Sequence, residues 1–181
     1  MISHADILEA AVRIAPFVRV TPVKSSAALD ALSGASLFFK CENLQVGGAF
    51  KFRGALNAVF ALSDGQAAHG VVTHSSGNHG AALARAAKLR GIEAHVVVPE
   101  GAVQSKVDAI RDAGAVIHRC APTQAAREAM TRGLMAGLGA AHCLRAEGMA
   151  STLYDKNPYP GGHTASHEAG GFIFDEGPHV S

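Results

Sequence analysis

An α/β fold with a parallel sheet is predicted by three observations along the middle of the chain. Short β-rich runs, GVVTH, AHVVVP and AVIHRC, recur from about residue 70. Between and after them lie alanine-rich stretches of helical character, starting near Gly77, Val103 and Thr123. Gly91, Pro99 and Gly114 stand where connections must turn. Strand, helix and strand in that order imply right-handed crossovers and parallel pairing.

Ahead of this unit, Ser3 is placed to cap a helix with Asp6 in its first turn. Ile7, Leu8, Ala11, Val12 and Ile14 recur at helical spacing, and Pro16 ends the run. Thr21-Pro22 forces an extended stretch, Ser26 to Leu32 reads as a short helix stopped by Gly34, and SLFFKCE alternates as a strand does. A Gly-Gly turn then precedes GAFKFRGALNA, where an apolar helix begins. Beyond about Gly139 no helical or alternating period is sustained, and the segment is expected to be irregular.

A chain of 181 residues suffices for one ordinary domain or two small ones. With 48% apolar and 17% charged residues, it has the composition of a molecule with a buried core. Sixteen basic residues against fifteen acidic ones give no field to gather nucleic acid or an anionic membrane. No apolar run reaches the ~18 residues of a membrane span, and Asp6 and Glu9 interrupt the N-terminus where a signal peptide would be apolar. Cys41, Cys120 and Cys143 are odd in number, widely spaced and without a CxxC pair, which fits a reducing, cytoplasmic setting, and Cys41 and Cys120, in apolar strands, read as buried thiols. His163 and His167 are four apart, but the glycines around them argue against a helical metal pair, so no metal site is expected.

Three places carry candidate chemistry. Lys51 lies between Phe50 and Phe52 at the positive end of a helix, where both the terminus and the loss of water disfavour an ammonium ion. Arg53 is a second cationic influence, and a lysine so treated is a nucleophile for carbonyl groups. THSSGNHG, Thr73 to Gly80, joins a strand to a helix at the carboxyl edge of the sheet, where backbone N–H groups meet anions. Ser75, Ser76, Asn78 and His79 add polar side chains there, without the pattern of a P-loop or a GxGxxG turn. Arg127, beside Glu128 near the start of the last helix, offers a fork suited to a carboxylate.

FFKCENLQ, GAFKFRGALNA, VVTHSSGNHG, AAKLRGI, VVVP, SKVDAIRDAGAVI and the Arg127-Glu128 pair, in that order, resemble the N-terminal half of the fold-type II pyridoxal-phosphate enzymes. The similarity is to the serine and threonine dehydratases and serine racemase, and it runs from about Ile7 to about Gly139. It implies a three-layer αβα sandwich of the tryptophan-synthase-β-like kind. Residues 1–69 would begin the large cofactor-binding domain, 70–140 would form the small α/β domain, and 141–181 would match neither.

The resemblance also implies roles. Lys51 matches the lysine that forms a Schiff base with pyridoxal 5'-phosphate and later removes the substrate's α-proton. Phe50 matches the aromatic neighbour of the cofactor ring, and Asn78 the partner of its 3-hydroxyl. Ser75, Ser76 and His79 belong to the loop that receives the substrate carboxylate, and Arg127 matches a substrate-side arginine. The implied reaction is α,β-elimination from a hydroxy amino acid to a keto acid and ammonia, in a cytoplasmic homo-oligomer. Ser76 matches the serine that returns a proton to the opposite face in the racemases. Ala49 in GAFKF matches the hydroxyaspartate dehydratases.

Two departures shape these expectations. Val46 and Gly47 replace a basic residue and a threonine. The glycine run that grips the cofactor phosphate in the second half of these enzymes has no counterpart after Gly139, nor have the groups facing the pyridine nitrogen or the stabilising cation. The chain is therefore expected to be a truncated or frame-shifted member. The alternatives to a serine/threonine dehydratase are then a serine or hydroxyaspartate racemase/dehydratase, or an inactive remnant that only binds partner subunits.

Overall fold

The computed structural model describes residues 2–146, 167–169 and 172–174. Ser3 opens helix α1 (His4–Ile14) through a capping box: its hydroxyl accepts from the Asp6 amide at 3.2 Å, and the Asp6 carboxylate accepts from the Ser3 amide at 2.7 Å. Strand β1 (Val23–Lys24) pairs antiparallel with β2 (Phe39–Lys40), and between them α2 (Ala27–Ser33) stops at Gly34 in the left-handed conformation. The strand predicted over SLFFKCE is thus cut to two residues. On one side of it the Leu37 amide donates to the Asp30 carboxylate; on the other, the Glu42–Leu44 stretch turns into a 3-10 helix.

A second 3-10 turn, Val46–Gly48, leads into α3 (Lys51–Ala61). A one-turn helix, α4 (Asp64–Ala67), follows, capped by Ser63 and Gln66. Next come β3 (Val71–His74), α5 (Asn78–Arg90), β4 (Ala94–Pro99), α6 (Gln104–Asp112), β5 (Val116–Cys120) and α7 (Gln124–Ala146). The sheet order is β3-β4-β5, all parallel, with Val72 opposite His95 and Val97 opposite His118. This is the predicted α/β unit.

Register assigns the two faces of the sheet. Val96 and Val98 are fully buried against Ala81, Ala84 and Ala87 of α5 and Val107 and Ile110 of α6. Val97, of opposite parity, is also fully buried, and α7 packs on that face across all three strands. Helices therefore cover both sides, the arrangement that parallel sheets require. The other flank of α5, through Ala82, Leu83 and Ala86, packs against Phe52, Leu56 and Val59 of α3 and Ile14 of α1. Each of these large side chains contributes roughly 1.5–3 kcal/mol by leaving water.

Two expectations change. Helix α7 continues through Ala146, past the point near Gly139 where irregular chain was expected, and β6 (His167–Ala169) pairs antiparallel with β7 (Phe172–Phe174). The rest of that segment, His163 included, lies outside the described residues. The apolar face of α1 forms, but Ile7, Leu8 and Val12 remain 57%, 54% and 77% exposed, because α1 packs against α3 through Ile14 at its end.

Candidate active site

Lys51 is the first residue of α3, and its surroundings differ from those its neighbours in sequence suggest. Phe52 turns into the core, 2% exposed, while Phe50 stays 55% exposed and presents its ring to the lysine. The Lys51 Nζ lies 5.3 Å from the Phe50 ring centroid, a cation–π distance, and makes no hydrogen bond or ion pair among the described residues. Helix α3 begins without help from its own residues. Phe50 gives no side-chain cap, and the first turn holds no acid, only the cations Lys51 and Arg53.

Glu42 supplies what the helix lacks. Its carboxylate receives both prongs of the Arg53 guanidinium, Nε and Nη2, each at 2.8 Å. Thr21, 3% exposed, donates its hydroxyl to the same carboxylate at 2.5 Å. Arg53 also donates to the Arg19 carbonyl at 3.2 Å. The Arg53 hydrogen bond is the main cause, and with that of Thr21 it overcomes the opposing effect of burial to hold the Glu42 carboxyl at about 2. The Arg53 guanidinium is pushed up by the same partner. Its charge is thus engaged by a carboxylate, contrary to the reading of Arg53 as a free influence on Lys51.

Gln45, 2% exposed, ties the same segment down a second time. It accepts from the Arg19 amide and donates to the Arg19 carbonyl, both at 2.9 Å. Gly47 and Gly48 follow with φ of 76° and 71°, values that disfavour a side chain. At Gly47 a Cβ would also lie 2.9 Å from Nη1 of Arg85. The threonine expected there from the resemblance would be strained, so glycine suits this backbone.

The second place is the turn from β3 into α5. Gly77 occupies the cap position and has no side chain, so Ser75 reaches forward instead: its hydroxyl accepts from the Gly77 amide at 3.3 Å and the Gly80 amide at 3.1 Å. One first-turn amide expected to face an anion is therefore already used. Ser76 is half-buried, with no hydrogen bond on its hydroxyl among the described residues, and Asn78 is exposed at the first helical position. His79 is half-buried.

Topology relates these places. Arg90 at the end of α5 donates to the carbonyls of Val59 and, at 2.6 Å, Leu62 at the end of α3. The two helices are joined at their C-terminal ends, which brings Lys51 and Asn78 to the same end of the pair. That end is the carboxyl edge of the sheet, since α5 follows β3. Arg127 follows β5 at this edge, half-buried at the end of the first turn of α7, with a buried Nε that has no hydrogen-bond partner among the described residues. No hydrogen bond joins Lys51, Asn78 and Arg127 to one another among the described residues.

Sequence reading passed over two further groups. The Glu42–Arg53 pair spans eleven positions and has no local signature, although Glu42 stands within the quoted FFKCENLQ. On the α7 side of the sheet, His95 Nδ1 and His118 Nε2 are 3.0 Å apart. Burial, then the neighbouring His95, pushes the His118 imidazole below its ordinary value. Cys120 is buried as expected, whereas Cys41 is partly exposed.

Comparison with known proteins defines the class. The family model described as "Pyridoxal-phosphate dependent enzyme" matches residues 14–159, and the chain belongs to that family. It is 55% identical over 126 residues to the beta-hydroxyaspartate dehydratase of Paracoccus denitrificans, covering 70% of this chain and 40% of that protein. It is 62% identical over 117 residues to a serine racemase of Arabidopsis thaliana, covering 62% of this chain and 35% of that protein. Among solved structures, maize serine racemase superposes with a TM-score of 0.72 at 52% identity, covering 74% of this chain and 40% of that one. The chain thus spans well under half the length of these relatives. No helix among the described residues is long and apolar enough to cross a membrane.

The family's cofactor is pyridoxal phosphate, and the described residues fit the aldehyde end of that group. An unpaired amine lies beside an exposed aromatic face, and a polar turn opens at the same end of the helix pair.

Proposed function

We propose that this chain bears the aldehyde-binding part of a dehydratase site, in which a 3-hydroxy amino acid loses water to an enamine whose imine tautomer takes up water again to give a keto acid and ammonia. Serine, threonine and 3-hydroxyaspartate make up the substrate class. The observation that carries the reading is the unpaired Lys51 amine, held at the same end of the α3–α5 pair as the Ser75–His79 turn. Pyridoxal phosphate, when bound, supplies the electron sink that makes the substrate's α-proton acidic.

The chain's own residues do the rest. Lys51 would hold the cofactor through its aldehyde carbon and, once the substrate's amine displaced it there, would serve as the base for the α-proton. Phe50 would offer its open face to the cofactor ring, and Asn78 would serve the ring hydroxyl. Ser75 fixes the turn through the Gly77 and Gly80 amides, leaving Ser76, His79 and Arg127 to receive the substrate carboxylate. The 55% identity to a hydroxyaspartate dehydratase supports elimination as the reaction.

Racemisation is a second reading, supported by the uncommitted hydroxyl of Ser76, which can hand a proton to the face opposite Lys51. Keto acid and D-amino acid formation from each substrate, measured on the full chain with added pyridoxal phosphate, separate the two. Lys51→Ala should abolish both products, and Ser76→Ala should lower inversion much more than elimination. Labelling of Lys51 without either product would favour the remnant reading, and keto-acid formation undiminished in Lys51→Ala would refute this one.

A further inference from the structure

We propose that Glu42 is the positioning residue for Lys51: by clamping Arg53 it holds the first turn of α3 in shape and keeps the lysine amine aimed at one place. The inference rests on the reading of Lys51 as the cofactor-bearing amine. Its basis is a helix start that its own sequence opposes. A helix N-terminus carries about half a positive charge and favours acids, yet α3 begins with Lys51 and Arg53, has no acid in its first turn and no side-chain cap. The compensating carboxylate comes from a different segment, the 3-10 turn at Glu42–Leu44, through two parallel hydrogen bonds to Arg53 at 2.8 Å.

The clamp closes a short loop around the lysine. Residues 42 to 53 leave the core region at Glu42, pass two left-handed glycines, and return to the same point at Arg53, two positions after Lys51. Thr21 and Gln45, both nearly fully buried, fasten the near side of the loop to the chain around Arg19. Phe52, between Lys51 and Arg53, anchors the opposite face of the turn in the core. The direction of the lysine is thereby set at three points, and Glu42 is the one that bears on Arg53. Without that carboxylate, two cations share a bare helix terminus, and the first turn should fray while the sheet and its helices stay packed.

The test uses the full chain and the variants Glu42→Gln, Arg53→Gln, their combination, Glu42→Asp, and Ile110→Val as a control that loosens the sheet core. Each is incubated with pyridoxal phosphate and reduced with borohydride, and the share of label on Lys51 relative to the other lysines is read by peptide mass. Amide hydrogen exchange at residues 51–54 is measured alongside. Glu42→Gln and Arg53→Gln should each lower the Lys51 share roughly tenfold, the equilibrium counterpart of a lost charge-assisted hydrogen bond. The combination should lower it no further, Glu42→Asp should restore part of it, and exchange at residues 51–54 should quicken. Ile110→Val should leave share and exchange unchanged. An unchanged share and unchanged exchange in Glu42→Gln, or an equal fall in Ile110→Val, would overturn the inference. If the unmodified chain is not labelled selectively at Lys51, the cofactor reading fails first, and exchange still reports on the clamp by itself.

Discussion

Replacing Glu42 by glutamine should lower stability by an amount that depends on pH. The carboxylate is bonded by Arg53 at two points and by Thr21, and these contacts hold it at about 2 against an ordinary 4.5. A carboxyl whose value falls on folding stabilises the native state above its unfolded value, and that stabilisation is lost as pH falls toward the folded value. A shift of this size corresponds to on the order of 3 kcal/mol. The Glu42 side chain is 16% exposed and that of Arg53 30%, so partial screening brings the expected figure to roughly 2 kcal/mol. Glutamine keeps the shape and removes the charge. Urea unfolding of both proteins across the acid range gives the difference at each pH. The gap should be full above about pH 5, shrink below 4.5 and close near pH 2. A gap of equal size in neutral and acid solution would refute the reasoning, since the loss would then owe nothing to ionisation.

Four other perturbations follow from the same geometry. His118 is pushed below its ordinary 6.5 by burial and by His95, so it favours the fold above that pH and this contribution is lost as pH falls below it; His118→Asn should flatten the fall in stability on the acid side of 6.5. Gly80→Ala would bring a Cβ to 3.1 Å from the Ser75 carbonyl and Val96 and 3.2 Å from Ile110, and urea melts should show a loss of about 1–3 kcal/mol. Gly65→Ala in α4, with nothing within 4 Å, should be neutral or stabilising by up to ~1 kcal/mol. Gln45→Ala removes the acceptor of the Arg19 amide and one of the two donors to the Arg19 carbonyl, Arg53 being the other, and should cost about 1–2 kcal/mol in the same assay.

The parts of the molecule legible in the sequence are those whose causes are local. The Ser3–Asp6 capping box, the stop at Gly34, and the strands 71–74, 94–99 and 116–120 follow from neighbours a few residues apart. Long-range causes were hidden. Alternation in SLFFKCE suggested a strand, but Asp30 takes the Leu37 amide and shortens it. The period of α1 described an apolar face without saying what packs on it, and Ile7, Leu8 and Val12 stay open. At the site, the type and spacing of Lys51, Asn78 and Arg127 drew attention to them. Which way Phe50 and Phe52 turn, the use of Ser75 as a surrogate cap, and the pairing of Arg53 with Glu42 depend on the packed chain. Adjacency in sequence made Arg53 look like a charge acting on Lys51, whereas the fold hands that charge to a residue eleven positions earlier.

Borohydride reduction of the chain after exposure to pyridoxal phosphate, followed by peptide mapping, tests the central claim most directly. Stoichiometric modification of Lys51, with Lys24, Lys40, Lys88, Lys106 and Lys156 left essentially untouched, is the expected result. Modification scattered over the lysines in proportion to their exposure, with no preference for Lys51, would contradict the account.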